Sequence, residues 1–348
     1  MKNLILFFIY LFAIHSVQSQ KISLKEYFEK QEASINDTVM CLKSSDSIWA
    51  DLPMTLIKGR EKGPTLTIAA GIRQGGFPAA ASLLELRREI NPQKLKGNLI
   101  IIPDADVQRY DGRSSGSNPI GISHLNDAFP GSHRGTAAEL IADFVATAVF
   151  DATDVFLELN SCDAASDPID FICYYDNSEF MQQTMLEFRL SEASGLDTIL
   201  SHPYVLSSGE PSKCAVKQAA RLGIPSLSMT VGGQQKEGRS GLSPARDALY
   251  RIMAELQLYT NRKIKPARAP KHRFNRKAFV KVPFQGIFYS SVKAGDKIKE
   301  NQQIGYLADI FGNRIKTLTA PQSGTVLYKT EANPVNSDET VFCIGYRI

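Results

Sequence analysis

Thr65-Leu-Thr-Ile-Ala-Ala-Gly71-Ile-Arg73-Gln-Gly-Gly76-Phe-Pro78 decides how this chain is read. Its first six residues have the apolar, threonine-containing texture of a strand. Three glycines followed by Phe-Pro then mark a tight turn. An apolar, alanine-rich segment at about 79–90 reads as a helix, so the stretch is a strand, a glycine turn and a helix. In sheets built from such units, ligands collect outside the carboxyl ends of the strands, which is where Arg73 falls.

The pattern continues outward. Strands are expected at about 98–103, 154–160, 169–175 and 225–231, and helices at about 135–149, 178–194, 210–222 and 243–259. This alternation predicts an α/β layer fold with a largely parallel or mixed sheet. Beyond a basic stretch, Arg262 to Lys281, which contains Pro266 and Pro270, the texture changes to short strands and glycine turns around Gly286, Gly295, Gly305 and Gly324. Such spacing predicts a small β barrel. The expected organisation is a leader at 1–19, an α/β domain at 20–262, a solvated linker at 263–278 and a β domain at 279–348.

Four segments together resemble the succinylglutamate desuccinylase/aspartoacylase family, relatives of the zinc carboxypeptidases. Gly71-Ile72-Arg73-Gln74-Gly75-Gly76 is similar to the family's Gly-x-His-Gly-x-Glu turn, with Arg73 and Gly76 at the positions of two zinc ligands. His124-Leu125-Asn126-Asp127-Ala128-Phe129-Pro130-Gly131 resembles Asp-Leu-Asn-Arg-x-Phe-Pro-Gly, with Asp127 in place of a substrate-binding arginine. Gly135-Thr-Ala-Ala-Glu139-Leu-Ile-Ala142 follows the family's Gly-x-x-x-Glu-x-x-Ala helix. The strand Asp154-Val-Phe-Leu-Glu158-Leu159-Asn160 ends in asparagine where the family has its third ligand, a histidine, and Thr230 stands at the general-base glutamate. The resemblance implies a zinc-carboxypeptidase-like three-layer α/β/α domain with a mixed sheet. It also implies a C-terminal barrel similar to biotinyl/lipoyl carrier domains, although the expected tip, Asp309-Ile-Phe-Gly312-Asn313, has no lysine to carry a group.

A catalytic zinc takes about three ligands from His, Cys and carboxylate and leaves one position open for water. Arg73, Gly76 and Asn160 supply none of these, and a guanidinium offers only donors. Without the ion neither the activated water nor the Lewis acid is available, and threonine is no base near neutral pH. The expected site is therefore a ligand pocket of Arg73, Arg113, Asn126, Asp127, Glu158, Asn160 and Thr230, with no metal, no cofactor and no catalytic residue. Arg73 is expected to take the place of the zinc charge by pairing with Asp127 or Glu158. Asp127, replacing an arginine, is expected to favour an amine over a carboxylate ligand. The competing expectation is a divergent hydrolase of N-acyl amino acids, peptides or related amides that recruits a metal through other residues. His124, His133, His202 and His272 show no paired ligand spacing.

Met1 to Ser19 carries Lys2, an apolar run from Leu4 to Ile14 and the small-residue end Val17-Gln18-Ser19, the pattern of a cleaved signal peptide. Export to a periplasm or the exterior follows as an expectation, with no stable membrane span. Net charge is only +4 over 348 residues, which gives no ground for nucleic-acid binding. The expected partner is a small molecule or a peptide. An oxidising compartment permits a disulfide among Cys41, Cys162, Cys173, Cys214 and Cys343, with Cys162–Cys173 the first expected pair and Cys162 as a nucleophile the functional alternative.

Overall fold

A computed structural model describes residues 23–44, 48–73, 77–105, 125–161, 166–205, 211–231, 239–261 and 264–348. The leader, Gly76, Arg113, His124 and Cys162 lie outside the described residues. Ten strands occupy the described part of the chain up to residue 274: β1 (Ser34–Lys43), β2 (Trp49–Lys58), β3 (Glu61–Ala69), β4 (Lys96–Ile102), β5 (Val155–Asn160), β6 (Ser166–Pro168), β7 (Phe171–Asp176), β8 (Thr198–Pro203), β9 (Ser226–Thr230) and β10 (His272–Phe274). All but β6 form one sheet in the order β1-β2-β4-β3-β5-β9-β7-β8-β10. It is mixed: β4, β3, β5 and β9 run parallel, while β1, β2 and β7 each meet a neighbour antiparallel.

Period-two alternation sends successive side chains to opposite faces of the sheet. Leu66, Ile68, Leu99, Ile101, Val155 and Leu157 pack against α2 (Phe77–Glu89), α4 (Met181–Ser194) and α6 (Arg239–Glu255). Ile100, Ile102 and Phe156 face the other way, against α1 (Leu24–Lys30), α3 (Ala137–Phe144) and α5 (Ala215–Arg221). Both faces are thus covered, giving the expected three layers. The glutamate of the Gly-x-x-x-Glu segment closes a capping box: Thr136 Oγ1 accepts from Glu139 N at 3.3 Å, and Glu139 Oε2 accepts from Thr136 N at 2.8 Å.

The first strand of the quoted stretch is β3, and its register is pinned at its start. Asp154 Oδ2 accepts from Thr65 N at 2.7 Å, and Asp154 N donates to Thr65 O at 2.9 Å. From there β3 and β5 run in parallel, with Ala69 beside Glu158. Gly71 then turns the chain at φ +75°, where an added Cβ would lie 1.9 Å from Asp104 Oδ1. Gly71→Ala is expected to cost about 2 kcal/mol in thermal unfolding, from the left-handed backbone and the clash together. An unchanged melting temperature would show that the turn relaxes.

The remaining strands, β11 (Arg276–Lys281), β12 (Ile287–Ser290), β13 (Lys297–Ile298), β14 (Gln303–Ala308), β15 (Arg314–Thr319), β16 (Gly324–Thr330) and β17 (Thr340–Tyr346), form two sheets. These are β11-β17-β16-β13 and β12-β14-β15, packed around Val282, Phe288, Ile304, Leu307, Val326 and Phe342. Two short pairings tie them to the layers before them. Strand β6 adds to β16, with Asp167 opposite Lys329, and β10 joins β8 of the large sheet. The stretch expected to be a solvated linker, 263–278, therefore contributes β10 and the start of β11, because its alternation His272-Arg-Phe274 finds the exposed edge of β8. Among the described residues no helix is long and apolar enough to cross a membrane.

Candidate functional site

The α3/α5 face of the large sheet is apolar near Phe156 and changes character toward the carboxyl end of β5. Alternation places Glu158 and Asn160 of β5 on this face, with Ser228 and Thr230 of β9, Cys173 and Tyr175 of β7, and His202 of β8. Polar residues stand where the pleat would otherwise present aliphatic ones. Together they form the floor of a cavity of about 570 Å³ lined by Arg73, Asn160, Cys173, Tyr175, His202, Ser228 and Thr230. Phe171 adds a wall, and Lys277, Phe279 and Tyr328 reach in from β11 and β16.

Arg73 Nε donates to Glu158 Oε1 at 3.0 Å. The Glu158 side chain is 0% exposed and that of Arg73 44%, so the pair runs from the protein interior to the cavity surface. Among the described residues Glu158 Oε2 has no hydrogen-bond partner. The carboxylate in turn holds the Arg73 guanidinium in its charged form more firmly than usual. Of the two partners expected for Arg73, the structure supplies Glu158. Asp127 is exposed on a short turn, Leu125–Ala128, and neither it nor Asn126 lines the cavity. Asn126 Oδ1 is buried without a partner among the described residues. The frame around Asp127 has a packing role: Leu125 and Phe129 are core residues, and an added Cβ on Gly131 would lie 2.1 Å from the backbone nitrogen of Asp143. Asp127→Arg is accordingly expected to leave ligand binding in the cavity unchanged by calorimetry, whereas a shift of preference toward carboxylates would place residue 127 at the site.

Asn160 Nδ2 donates to Ser228 Oγ at 2.9 Å, fixing its amide across the β5–β9 pair. His202, half-buried, is a site residue that the sequence did not point to, since no strand is expected over 198–203. In the structure it ends β8 with its ring 5.9 Å from that of Tyr175. Burial, and then the positive charges of Lys277, Arg276 and Arg73, lower the His202 pKa to about 3, so it is a neutral imidazole at physiological pH. Burial likewise keeps the Tyr175 hydroxyl and the Cys214 thiol protonated. The two touch at 3.9 Å. Cys173 faces the same interior as Leu200 and Cys343, and the expected Cys162–Cys173 pair falls outside the described residues through Cys162.

A zinc ion does not fit this donor set. Arg73 brings a fixed cation and no lone pair, the Asn160 amide is committed to Ser228, and Glu158 already meets the guanidinium. Among the described residues no three His, Cys, Asp or Glu side chains converge to hold a metal.

No family model matches the sequence. Over 145 residues the chain is 27% identical to the N-alpha-acetyl-L-2,4-diaminobutyric acid deacetylase of Halomonas elongata, a stretch that covers 41% of this chain and 42% of that relative. The match thus spans less than half of the relative's length. The likeness to solved structures is far longer. A succinylglutamate desuccinylase/aspartoacylase from Rhodobacter sphaeroides superposes with a TM-score of 0.75 at 15% identity, covering 90% of this chain and 95% of that one. The product-bound ectoine utilization protein EutE (DoeB) from Ruegeria pomeroyi gives 0.77 at 16% identity, over 91% and 96%. An aspartoacylase family protein from Mesorhizobium loti gives 0.71 at 20% identity, over 91% and 96%. The chain has the zinc-carboxypeptidase-like fold of the succinylglutamate desuccinylase/aspartoacylase proteins, C-terminal sheets included.

Proposed function

We propose that this chain is an exported, catalytically silent member of the succinylglutamate desuccinylase/aspartoacylase family, which holds a small ligand in the cell envelope and does not hydrolyse it. The observation that carries the reading is the Arg73–Glu158 ion pair at the carboxyl end of β3 and β5. There the resemblance puts a metal ligand, and this sequence puts a cation tied to a buried carboxylate. A site meant to bind zinc would lose affinity from a fixed positive charge beside it. A site meant only to bind keeps the cavity, and the polar floor of Asn160, Ser228 and Thr230 stays in place. The support for export is the leader-like pattern of residues 1–19.

The test uses purified mature protein. Metal analysis after mild handling is expected to find no stoichiometric zinc, and calorimetry with zinc no sub-micromolar binding. A panel of N-acyl amino acids, N-acetylated diamino acids among them, is expected to give no metal-dependent release of acid. Stoichiometric zinc together with turnover would replace this reading with that of a divergent deacylase.

A further inference from the structure

The cavity's charge is one-sided. Among the described residues lining it, Arg73 and Lys277 are cationic and none is Asp or Glu. The carboxylate behind Arg73, Glu158, is fully buried and is engaged by Arg73 through Nε. The two terminal nitrogens of Arg73 have no hydrogen-bond partner among the described residues, and the side chain is 44% exposed. Lys277 Nζ lies 5.4 Å from the centre of the Phe171 ring, which keeps the ammonium over the cavity without neutralising it. Beside burial, the same two cations and Arg276 lower the basicity of His202. Around this charge the walls are flat and apolar: Phe171, Tyr175, Phe279 and Tyr328.

We propose that the cavity binds an organic anion, with its carboxylate or other oxyanion on the outer edge of Arg73 and within reach of Lys277, and an aromatic or planar body against Phe171, Phe279 and Tyr328. This rests on the binding role proposed above and reverses the amine preference expected from Asp127. A guanidinium edge matches an oxyanion in two parallel hydrogen bonds. Glu158 balances its formal charge from behind and leaves its outer edge free to donate, so it binds an anion without needing one to fold. Lys277 comes from the C-terminal sheets, which makes those sheets part of the binding site.

The test compares hippurate and benzoate with benzylamine, a cation of the same size and shape, and with acetate, using calorimetry on the full mature chain. The aromatic anions are expected to bind, acetate more weakly and benzylamine not measurably. Lys277→Gln, at a half-exposed position, is expected to weaken the anions about tenfold, the scale of one lost charge contact. Arg73→Lys, which keeps the charge over Glu158 but not the two-pronged edge, is expected to weaken them as well. Binding of benzylamine as tight as that of benzoate, no binding of either anion, or full affinity in Lys277→Gln overturns the proposal. Hippurate also separates the two readings, because it is an N-acyl amino acid. Its conversion to benzoate and glycine would end the silent-member reading while supporting the anion site that holds it.

Discussion

Arg73→Ala is expected to lower the unfolding free energy by about 2 kcal/mol near pH 8, because it leaves the fully buried charge of Glu158 uncompensated while Arg73 itself is partly solvated. Glu158 is the member left behind. It is fully buried, one of its oxygens already lacks a partner among the described residues, and the other accepts from Arg73. Arg73→Met combined with Glu158→Leu removes both charges together and is expected to recover most of the stability, since exchanging a buried pair for apolar residues is often neutral. Urea unfolding of the parent, the single variant and the double variant at pH 8 measures all of this. If the single variant is as stable as the parent at pH 8, Arg73 is a solvated loop residue and the site has no internal cation.

A second large effect lies away from the cavity, at Glu187 of α4. Its carboxylate is 0% exposed and accepts from Ser226 N at 2.6 Å and from Gln183 Nε2 at 3.0 Å, tying α4 to the start of β9. Ser226 Oγ donates in turn to Val216 O of α5 at 3.0 Å. No cation balances it among the described residues, and burial raises its pKa from 4.5 to about 7. Between those values the folded chain keeps a proton that the unfolded chain has lost, so the group's contribution to stability falls as pH rises. Glu187→Gln is free of this titration. Its stability relative to the parent is expected to grow by about 3 kcal/mol from pH 4.5 to pH 7, the energy of a shift of that size. His202 has the opposite sign. Its pKa falls from 6.5 to about 3, so its contribution is lost as pH drops through that window. Where the windows overlap, from 4.5 to 6.5, the two slopes oppose one another. Each variant should therefore expose the slope of the other group: His202→Gln a stability that declines toward neutral pH, Glu187→Gln one that rises. Parallel profiles for both variants and the parent would mean that neither group is held away from its ordinary titration.

The quoted stretch carried most of the fold into view. Gly71 forces its turn, Leu125, Phe129 and Gly131 keep their frame because they pack against α3, and Thr136 with Glu139 caps that helix; each is a local requirement that leaves a local trace. The partner of Arg73 was not legible in the same way, since the choice between Glu158 and Asp127 depends on the register of β3 against β5. That register is set by Asp154 at the far end of the strands. Strand β8 hid its role because Ser201-His202-Pro203 has a loop's composition. The hairpin of β1 and β2 lies ahead of the segments that carried the alternation, and β10 is three residues in a basic, proline-containing stretch. Lys277 and Tyr328 reach the cavity only through the packing of the C-terminal sheets, which no spacing within 20–262 encodes.

The pairing of β6 with β16 joins Ser166 to Thr330, and that of β10 with β8 joins His272 to Thr198. Sequence separations of this length slow folding and delay it until the late residues exist. The large sheet gains its last strand only from residues beyond α6, and β6 finds its partner only in β16. An emerging chain therefore lacks the Lys277 and Tyr328 walls of the cavity until the C-terminal sheets have formed. Stopping synthesis after α6 is expected to leave β8 and β6 as bare edges, in a product that associates with itself instead of maturing.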